Sequence, residues 1–282
     1  MEEFTLSNVL DFLKRLSEEP PFRLITRATI KRLPCTIRTK ARWDVASRPN
    51  YLVGVLAAAD QAKREGVSAI SAYEFGVAGG NGLLALAESA EAVEQEVGVK
   101  IRVYGFDAGA GLPSAAPDFR EHPDQWMPGD YPMNEPELRR RMRPNTELII
   151  GEISRTLPDH LRTAAPPIGF VSVDVDLYSS ATDVLSMFKA PERRMLRRTF
   201  IYFDDIDFVF NHKFAGELLA IDEFNESSTG VKIDRWYGIE KFRPFWESPW
   251  LRKMYVAHDL DAISQVHQTR KAAVITVDGT TL

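Results

Sequence analysis

The sequence has little cysteine, no long uncharged stretch and no excess of positive charge. Cys35 is the one cysteine among 282 residues, which excludes an internal disulfide and a metal site built from several cysteines. The longest uncharged stretch, residues 75–87, has 13 residues, whereas a membrane-spanning helix needs about 20 apolar residues. The first residues are acidic and lack the apolar segment of a secretory signal. We therefore expect a cytoplasmic protein with no transmembrane segment.

Charge is distributed unevenly along the chain. The net charge is −5, so nucleic acid is not an expected partner. Residues 21–48, however, hold eight basic side chains and one acidic side chain. This segment is interpreted either as an arm that lies on the acidic remainder of the protein or as a docking surface for a phosphorylated or membrane-surface substrate.

Short apolar strands alternate with amphipathic helices, which indicates a parallel sheet covered by helices on both faces. The predicted helices are 4–17, 50–65, 83–97, 181–188 and 218–226, and the predicted strands are 69–77, 101–106, 147–151, 168–175, 200–203, 252–257 and 272–277. No helix separates the last two strands, so we expect them to form an antiparallel pair at the sheet edge. The predicted fold class is α/β, a Rossmann-like doubly wound sheet that is mostly parallel with an antiparallel C-terminal strand pair.

The predicted organisation is a single domain, residues 50–282, preceded by a helical and basic N-terminal extension, residues 1–49. Residues 108–145 interrupt the alternation and carry seven prolines. A connection of this length is typical of a lid or binding loop. A structural insertion or an oligomer contact is the alternative, so a homo-oligomer stays open.

A glycine-rich turn follows the first predicted strand. It contains Gly76, Gly79, Gly80 and Gly82, and glycine allows a tight turn and a close approach of a ligand. Gly80, Gly82 and Ala85 also fit the dinucleotide pattern G-x-G-x-x-G/A. Glu74 precedes the turn, and its carboxylate attracts a sulfonium or ammonium group and repels a phosphate. The pattern therefore favours S-adenosylmethionine over NAD.

Acidic residues follow three other predicted strands. Asp107 ends the second strand, where a carboxylate can accept hydrogen bonds from ribose hydroxyls. Asp174 and Asp176 end the fourth strand, and Asp204 and Asp205 end the fifth. Because the carboxyl ends of parallel strands meet at one edge, we expect Asp174, Asp204 and Asp205 to converge. Carboxylates that converge repel one another unless a cation lies between them, and oxygen ligands suit Mg²⁺.

The order of these motifs resembles that of the macrocin O-methyltransferase (TylF-like) family. The similar residues are Glu74-Phe-Gly-Val with the following glycine pair, Asp107 with Gly111-Leu-Pro, Val173-Asp-Val-Asp-Leu-Tyr-Ser-Ser, Phe203-Asp-Asp, Gly216 and Ala220-Ile-Asp-Glu-Phe. The resemblance covers roughly residues 50–226. It implies a class I methyltransferase that depends on S-adenosylmethionine and Mg²⁺ and methylates sugar hydroxyls of natural products.

The resemblance also implies roles for individual residues. Asp174, Asp204 and Asp205 match the metal ligands, and Asp176 matches the acid that takes the hydroxyl proton. The residues that match cofactor contacts are Glu74, Gly76, Gly79, Gly80, Asp107, Glu152 and Asp174. His212, seven residues after Asp205, is an alternative base, whereas His160 and His258 are expected at the surface.

The resulting hypothesis is a Mg²⁺-dependent O-methyltransferase that acts on a sugar-like or diol-like small molecule. An NAD-dependent oxidoreductase is one alternative, supported by the dinucleotide pattern and Asp107. A non-catalytic protein that binds the cofactor or a partner is the other.

Overall fold

The structure is a computed structural model that describes residues 13, 16–114, 118–241 and 243–266. The helix predicted at 4–17 lies mostly outside these residues, and the strand predicted at 272–277 lies wholly outside them. Among the described residues, no helix is both long and apolar enough to cross a bilayer.

Seven strands form one sheet in the order β3-β2-β1-β4-β5-β7-β6. The strands are β1 Ala69–Phe75, β2 Lys100–Asp107, β3 Thr146–Ile150, β4 Ile168–Val173, β5 Met195–Phe203, β6 Val231–Arg235 and β7 Met254–Asp259. Strands β1 to β5 are parallel, and β7 runs antiparallel to both β5 and β6. The predicted Rossmann-like α/β fold is confirmed.

The antiparallel pair that the structure describes contains one strand that was not predicted. β7 pairs with β6, whereas the predicted partner, residues 272–277, lies outside the described residues. β6 has the sequence Val-Lys-Ile-Asp-Arg, and its two apolar residues are buried while Asp234 and Arg235 are exposed. This short polar edge strand carries too few apolar residues to stand out by alternation alone.

Helices cover both faces of the sheet. They are α1 Phe22–Arg32, α2 Ile37–Arg42, α3 Pro49–Glu65, α4 Asn81–Val97, α5 Glu135–Arg141, α6 Ile153–Leu161, α7 Tyr178–Leu185, α8 Gly216–Ser227 and α9 Leu260–Ser264. Side chains of successive strand residues point to opposite faces. Phe170 of β4 accordingly packs in the apolar cluster under α3 and α4, and Val171 packs in the cluster under α6, α7 and α8.

The local sequence explains where the helices begin and end. Pro49 occupies the first turn of α3, and Gly66 ends α3 with a φ of +72°. Gly80 precedes α4 and Gly98 follows it, each with a φ of +81°. Proline suits a first helical turn, and glycine adopts the left-handed conformation at low cost.

The basic segment 21–48 lies on the rest of the protein. Arg38 forms an ion pair with Asp60 of α3 at 2.6 Å, and Arg23 forms one with Glu247 at 2.5 Å. The guanidinium of Arg27 lies 5.0 Å from the ring centre of Phe245. These contacts favour the interpretation of the segment as an arm on an acidic surface.

Candidate functional site

A cleft of about 570 Å³ opens at the carboxyl edge of the sheet. Its floor is the junction of β1 and β4, where the strand order reverses and where α/β sheets bind ligands. The cleft is lined by the residues after four strands, by α7 and by the segment 108–145; its charged lining residues are Arg48, Glu74, Asp107, Asp130, Glu152, Asp174, Asp176, Asp183, Asp204 and Asp205. The acidic residues predicted after separate strands therefore do meet in one place.

Two glycines after β1 stand where no side chain fits. An ideal Cβ on Gly76 lies 1.6 Å from the backbone oxygen of Asp174, and one on Gly82 lies 1.9 Å from Oε1 of Glu74. The glycines thus bring the turn against the end of β4 and let α4 begin beside the Glu74 carboxyl. Gly79 and Gly80 also line the cleft, and Gly79 has open space around it.

The Glu74 carboxyl is fully buried beneath this turn. The hydroxyl of Tyr51 donates to Oε1 at 2.6 Å and itself accepts from the Ser172 hydroxyl at 2.9 Å. Oε2 is buried and has no hydrogen-bond partner among the described residues. Burial raises the pKa of Glu74 to about 8, although the Tyr51 bond opposes the shift. An added cation at this position would favour the ionised form.

Asp107 supports the glycine turn from the tip of β2. Its Oδ2 accepts from the backbone N–H groups of Val77 and Ala78, both at 2.8 Å. Its Oδ1 accepts from the Gly109 N–H at 2.6 Å. The carboxylate therefore fixes the turn. Both lone pairs of Oδ2 are used in these bonds, and Oδ1 keeps one.

Asp174, Asp204 and Asp205 form the acidic cluster predicted for the metal. One carboxylate oxygen from each residue lies within 4.8 Å of the other two. Burial, followed by the charges of Asp205 and Asp204, raises the pKa of Asp174 to about 8. Burial and the charge of Asp176 likewise raise the pKa of Asp205. Buried carboxyl groups with raised pKa values lose their protons more readily when a cation binds between them.

Hydrogen-bonding groups behind the cluster hold the two aspartates that follow β5. The Tyr202 hydroxyl donates to Oδ1 of Asp204 at 2.6 Å, and Lys253 Nζ donates to the same oxygen at 3.3 Å. The backbone N–H of Asp205 donates to Oε2 of Glu217 at 3.1 Å. Glu217 is fully buried, and burial raises its pKa.

Asp176 lies in the cleft beside this cluster, whereas His212 does not line it. The backbone N–H of Asp176 donates to Oδ2 of Asp205 at 3.1 Å, and its φ is +61°. A non-glycine residue in that conformation costs about 1–3 kcal/mol and is common at functional sites. His212 is exposed, with its ring centre 5.0 Å from that of His122.

Glu152, another of the predicted cofactor contacts, is exposed. It lies at the cleft wall after β3 and pairs with Arg155 at 3.0 Å.

One histidine was placed wrongly from the sequence. His160 is buried, because its ring packs 4.5 Å from that of Tyr104 and its Nε2 lies 3.2 Å from the Tyr73 hydroxyl.

Sequence reasoning missed the groups that support the predicted side chains. These groups are Arg48, Tyr51, Tyr202, Glu217 and Lys253. Arg48 lies 5.1 Å from the ring centre of Tyr51 and lines the cleft. Tyr51 and Lys253 lie on α3 and in the turn before β7, far from the motifs in sequence. Tyr202 is two residues before Asp204, Glu217 directly follows Gly216, and Arg48 ends the basic segment 21–48, so these three stood beside features that the sequence did single out.

Two structures of CalS11 are among the solved structures that are similar to the chain. One is CalS11, a calicheamicin methyltransferase, and the other is apo CalS11, a TDP-rhamnose 3′-O-methyltransferase of calicheamicin biosynthesis. Each is 20% identical over 73% of this chain; the matches cover 84% and 78% of those chains, with TM-scores of 0.45 and 0.43. No family model matches the chain, and no curated protein matches it.

Proposed function

We propose that the chain is a Mg²⁺-dependent methyltransferase that moves a methyl group from S-adenosylmethionine to a hydroxyl of a sugar-like or diol-like acceptor. The observation that carries the proposal is the convergence of Asp174, Asp204 and Asp205 within 4.8 Å. Their cluster shares one cleft with the glycine turn and Glu74. The order of motifs that resembles the macrocin O-methyltransferase family supports the same reaction.

The acidic cluster fits a hard divalent cation. Three carboxylate oxygens are the ligands that Mg²⁺ prefers, with water completing its shell. Asp204 is held through Oδ1 by Tyr202 and Lys253, which leaves Oδ2 as its free ligand atom. Mg²⁺ held by these three residues supplies positive charge that lowers the pKa of an acceptor hydroxyl.

The turn after β1 fits the cofactor. Glu74 offers the buried Oε2, which has no described partner, to a cationic group, and Asp107 offers the remaining lone pair of Oδ1 to a hydroxyl. Gly79, which has open space around it, allows backbone contact with a ligand. Glu152 stands at the wall for polar contacts with a base. S-adenosylmethionine supplies the sulfonium methyl group.

Asp176 is the residue we assign to take the acceptor proton. It lines the cleft beside the cluster, and neither of its carboxylate oxygens has a described partner. Burial raises its pKa above the usual range of aspartate, which brings a carboxylate closer to the basicity that proton removal near neutral pH requires. His212 lies outside the cleft lining and remains the alternative base.

An NAD-dependent oxidoreductase receives less support. Gly82 of the dinucleotide pattern accommodates the Glu74 carboxyl and not a phosphate. A pyrophosphate at the start of α4 would meet Glu74 and Asp174, with Arg48 as the one cationic lining residue among those described. The cluster of three aspartates has no evident task in hydride transfer.

Ligand-dependent thermal stability tests the proposal. S-adenosylmethionine, S-adenosylhomocysteine and NAD are each added with and without Mg²⁺. A ligand at about 100 times its Kd stabilises by about 2.7 kcal/mol, which raises the Tm by about 5–10 °C for a chain of this size. We expect this rise with the two adenosyl ligands only. A rise with NAD alone contradicts the proposal.

The variant Asp204→Asn separates metal function from cofactor binding. We expect it to abolish methyl transfer and Mn²⁺ binding but to retain the Tm rise with S-adenosylhomocysteine, because Asp204 does not touch the glycine turn. Asp207→Asn is the matched control, since Asp207 is exposed and does not line the cleft. Full turnover by Asp204→Asn rules out the metal mechanism. If the unmodified protein binds the cofactor but not Mn²⁺, the non-catalytic alternative is favoured.

A further inference from the structure

The segment 108–145 places an acid and two aromatic rings on the cleft wall. Trp126, Asp130 and Tyr131 all line the cleft. Tyr131 is 54% exposed, so its ring is open to a ligand. It shares the cleft lining with the acidic cluster, and burial and the charges of Asp176, Asp130 and Asp205 raise the pKa of its hydroxyl.

Asp130 is fixed in position by its own turn and by the loop after β2. Its Oδ2 accepts from the Met127 N–H at 3.1 Å, and its backbone N–H donates to the Met127 oxygen at 3.1 Å. The Leu112 N–H donates to the Asp130 backbone oxygen at 2.9 Å, and the Gly129 N–H donates to the Leu112 oxygen at 2.8 Å. The side chain is therefore held at the wall before any ligand arrives, and Oδ1 has no described partner.

The cations of the site are engaged elsewhere. Arg48 donates to the Tyr51 hydroxyl at 3.5 Å, and the charges of Glu74, Asp174 and Asp204 help to raise its pKa. Lys253 pairs with Asp204 at 3.3 Å. Neither Asp130 nor Asp176 forms an ion pair with a described residue. Two further polar groups here have no hydrogen-bond partner among the described residues: the carboxyl of Asp176, a residue that is 9% exposed, and the buried Nε1 of Trp126. The described residues of this corner therefore provide carboxylates and aromatic rings but no cation paired with them.

We propose that Asp130, Tyr131 and Trp126 bind a protonated amine of the acceptor, so that the acceptor is a hydroxylated amine such as an amino sugar. The inference rests on the proposed function, because it assigns the charge of the acceptor in the same cleft. A carboxylate and aromatic faces together attract an ammonium group. The same corner repels a carboxylate or a diphosphate, so nucleotide-linked sugars are poor ligands.

A series of acceptors with one variable charge tests this inference. Three methyl hexosides share the same vicinal diol and carry an aminomethyl, a hydroxymethyl or a carboxylate group at the same ring carbon; TDP-rhamnose is the fourth probe. Calorimetry measures their binding to the full chain with Mg²⁺ and S-adenosylhomocysteine. We expect the ammonium probe to bind about 5- to 10-fold more tightly than the neutral probe, and both anions to bind more weakly.

The variant Asp130→Asn identifies the residue responsible. Asparagine keeps an acceptor for the Met127 N–H, so the turn is retained while the charge is removed. We expect the affinity for the ammonium probe to fall to that for the neutral probe, whose own affinity is unchanged. Asp124→Asn removes an exposed charge from the same segment, outside the cleft lining, and is expected to change neither.

Failure of the inference is distinguishable from failure of the proposed function. S-adenosylhomocysteine is titrated first, and its failure to bind counts against the methyltransferase alone; the hexosides are then titrated with Mg²⁺ only. If the ammonium probe binds no more tightly than the neutral probe, or does not bind, the inference is wrong. It is also wrong if Asp130→Asn weakens the neutral probe as much as the ammonium probe.

Discussion

Asp204 shows how a single carboxylate is oriented by groups that never reach the cleft. Tyr202 and Lys253 both bind Oδ1, and Lys253 Nζ also donates to the Asp204 backbone oxygen at 2.5 Å. The side chain cannot turn without breaking these bonds, so Oδ2 is the oxygen left without a described partner. Groups that orient metal ligands in this way commonly matter nearly as much as the ligands themselves.

Removing the Tyr202 hydroxyl is expected to weaken metal binding without removing a ligand. The variant Tyr202→Phe keeps the ring, which packs against Tyr51 at 6.1 Å. Loss of such an orienting donor typically lowers metal affinity about 10- to 100-fold. Titration of Mn²⁺ followed by electron paramagnetic resonance measures the free ion directly. Tyr237→Phe, at a residue 75% exposed, is the control, and an unchanged Mn²⁺ affinity in Tyr202→Phe contradicts this role.

At the scale of elements, the approach of α3 to the sheet depends on one missing side chain. An ideal Cβ on Gly54 lies 2.2 Å from Cε2 of Phe170. Phe170 is fully buried, and its ring also packs against Tyr51 at 5.8 Å. Glycine in a helix interior is otherwise unfavourable, so its presence here follows from the close packing of α3 on β4.

Gly54→Ala is expected to destabilise the fold although alanine is the better helix former. The helix gains up to about 1 kcal/mol, but a methyl group in a filled core costs about 1–3 kcal/mol. We expect a net loss in the free energy of unfolding, measured by urea denaturation. The double variant Gly54→Ala/Phe170→Leu is expected to recover part of this loss. A single variant as stable as the parent would show that α3 shifts freely.

The elements that position the site were the most predictable ones. Buried strands such as β4, whose six residues are all buried, give continuous apolar runs, and glycines mark both ends of α4.

β6 was missed because its pairing with β7 depends on a contact distant in sequence. The segment 108–145 was recognised as unusual from its prolines, but its α5 and its contact with the cleft depend on hydrogen bonds such as that from the Met133 N–H to the Gly109 oxygen. Its motion as a lid stays a prediction.

At the scale of the whole molecule, folding brings acidic side chains together in the cleft and buries some of them, including Glu74. The pKa of Glu74 rises from 4.5 to about 8 on burial. The folded protein therefore binds more protons than the unfolded chain between these values, and its free energy of unfolding falls as the pH rises across that interval. The contribution of Glu74 is fully present below pH 4.5 and is lost by about pH 8.

The variant Glu74→Gln tests this source of pH dependence. We expect the Tm of the unliganded protein to fall between about pH 5 and about pH 8, and the fall to be smaller in Glu74→Gln because the amide does not ionise. Differential scanning calorimetry at a series of pH values gives both slopes. Glu88→Gln, at an exposed position of α4, is expected to keep the original slope. Equal slopes in Glu74→Gln and the parent would assign the effect to other groups.

The sequence revealed the acids of the site and not their surroundings. Asp174, Asp204 and Asp205 follow apolar strands, so the topology alone predicted their convergence. Residue spacing does not show that the Tyr51 hydroxyl binds Glu74 or that Gly82 leaves space for the Glu74 carboxyl. Nor does it show that Asp107 accepts hydrogen bonds from the glycine turn. The exclusion of His212 from the cleft lining likewise depends on the path of the chain after β5.

Arg48 belongs to the basic segment, yet it is the one cationic side chain among the described residues that line the cleft. It directly precedes α3, at the border between the extension and the domain predicted from the sequence. A division of the chain at that border separates the acidic site from its own counter-charge. Truncating the chain at this border, or exchanging the arm with that of another protein, therefore removes or replaces a residue of the cleft.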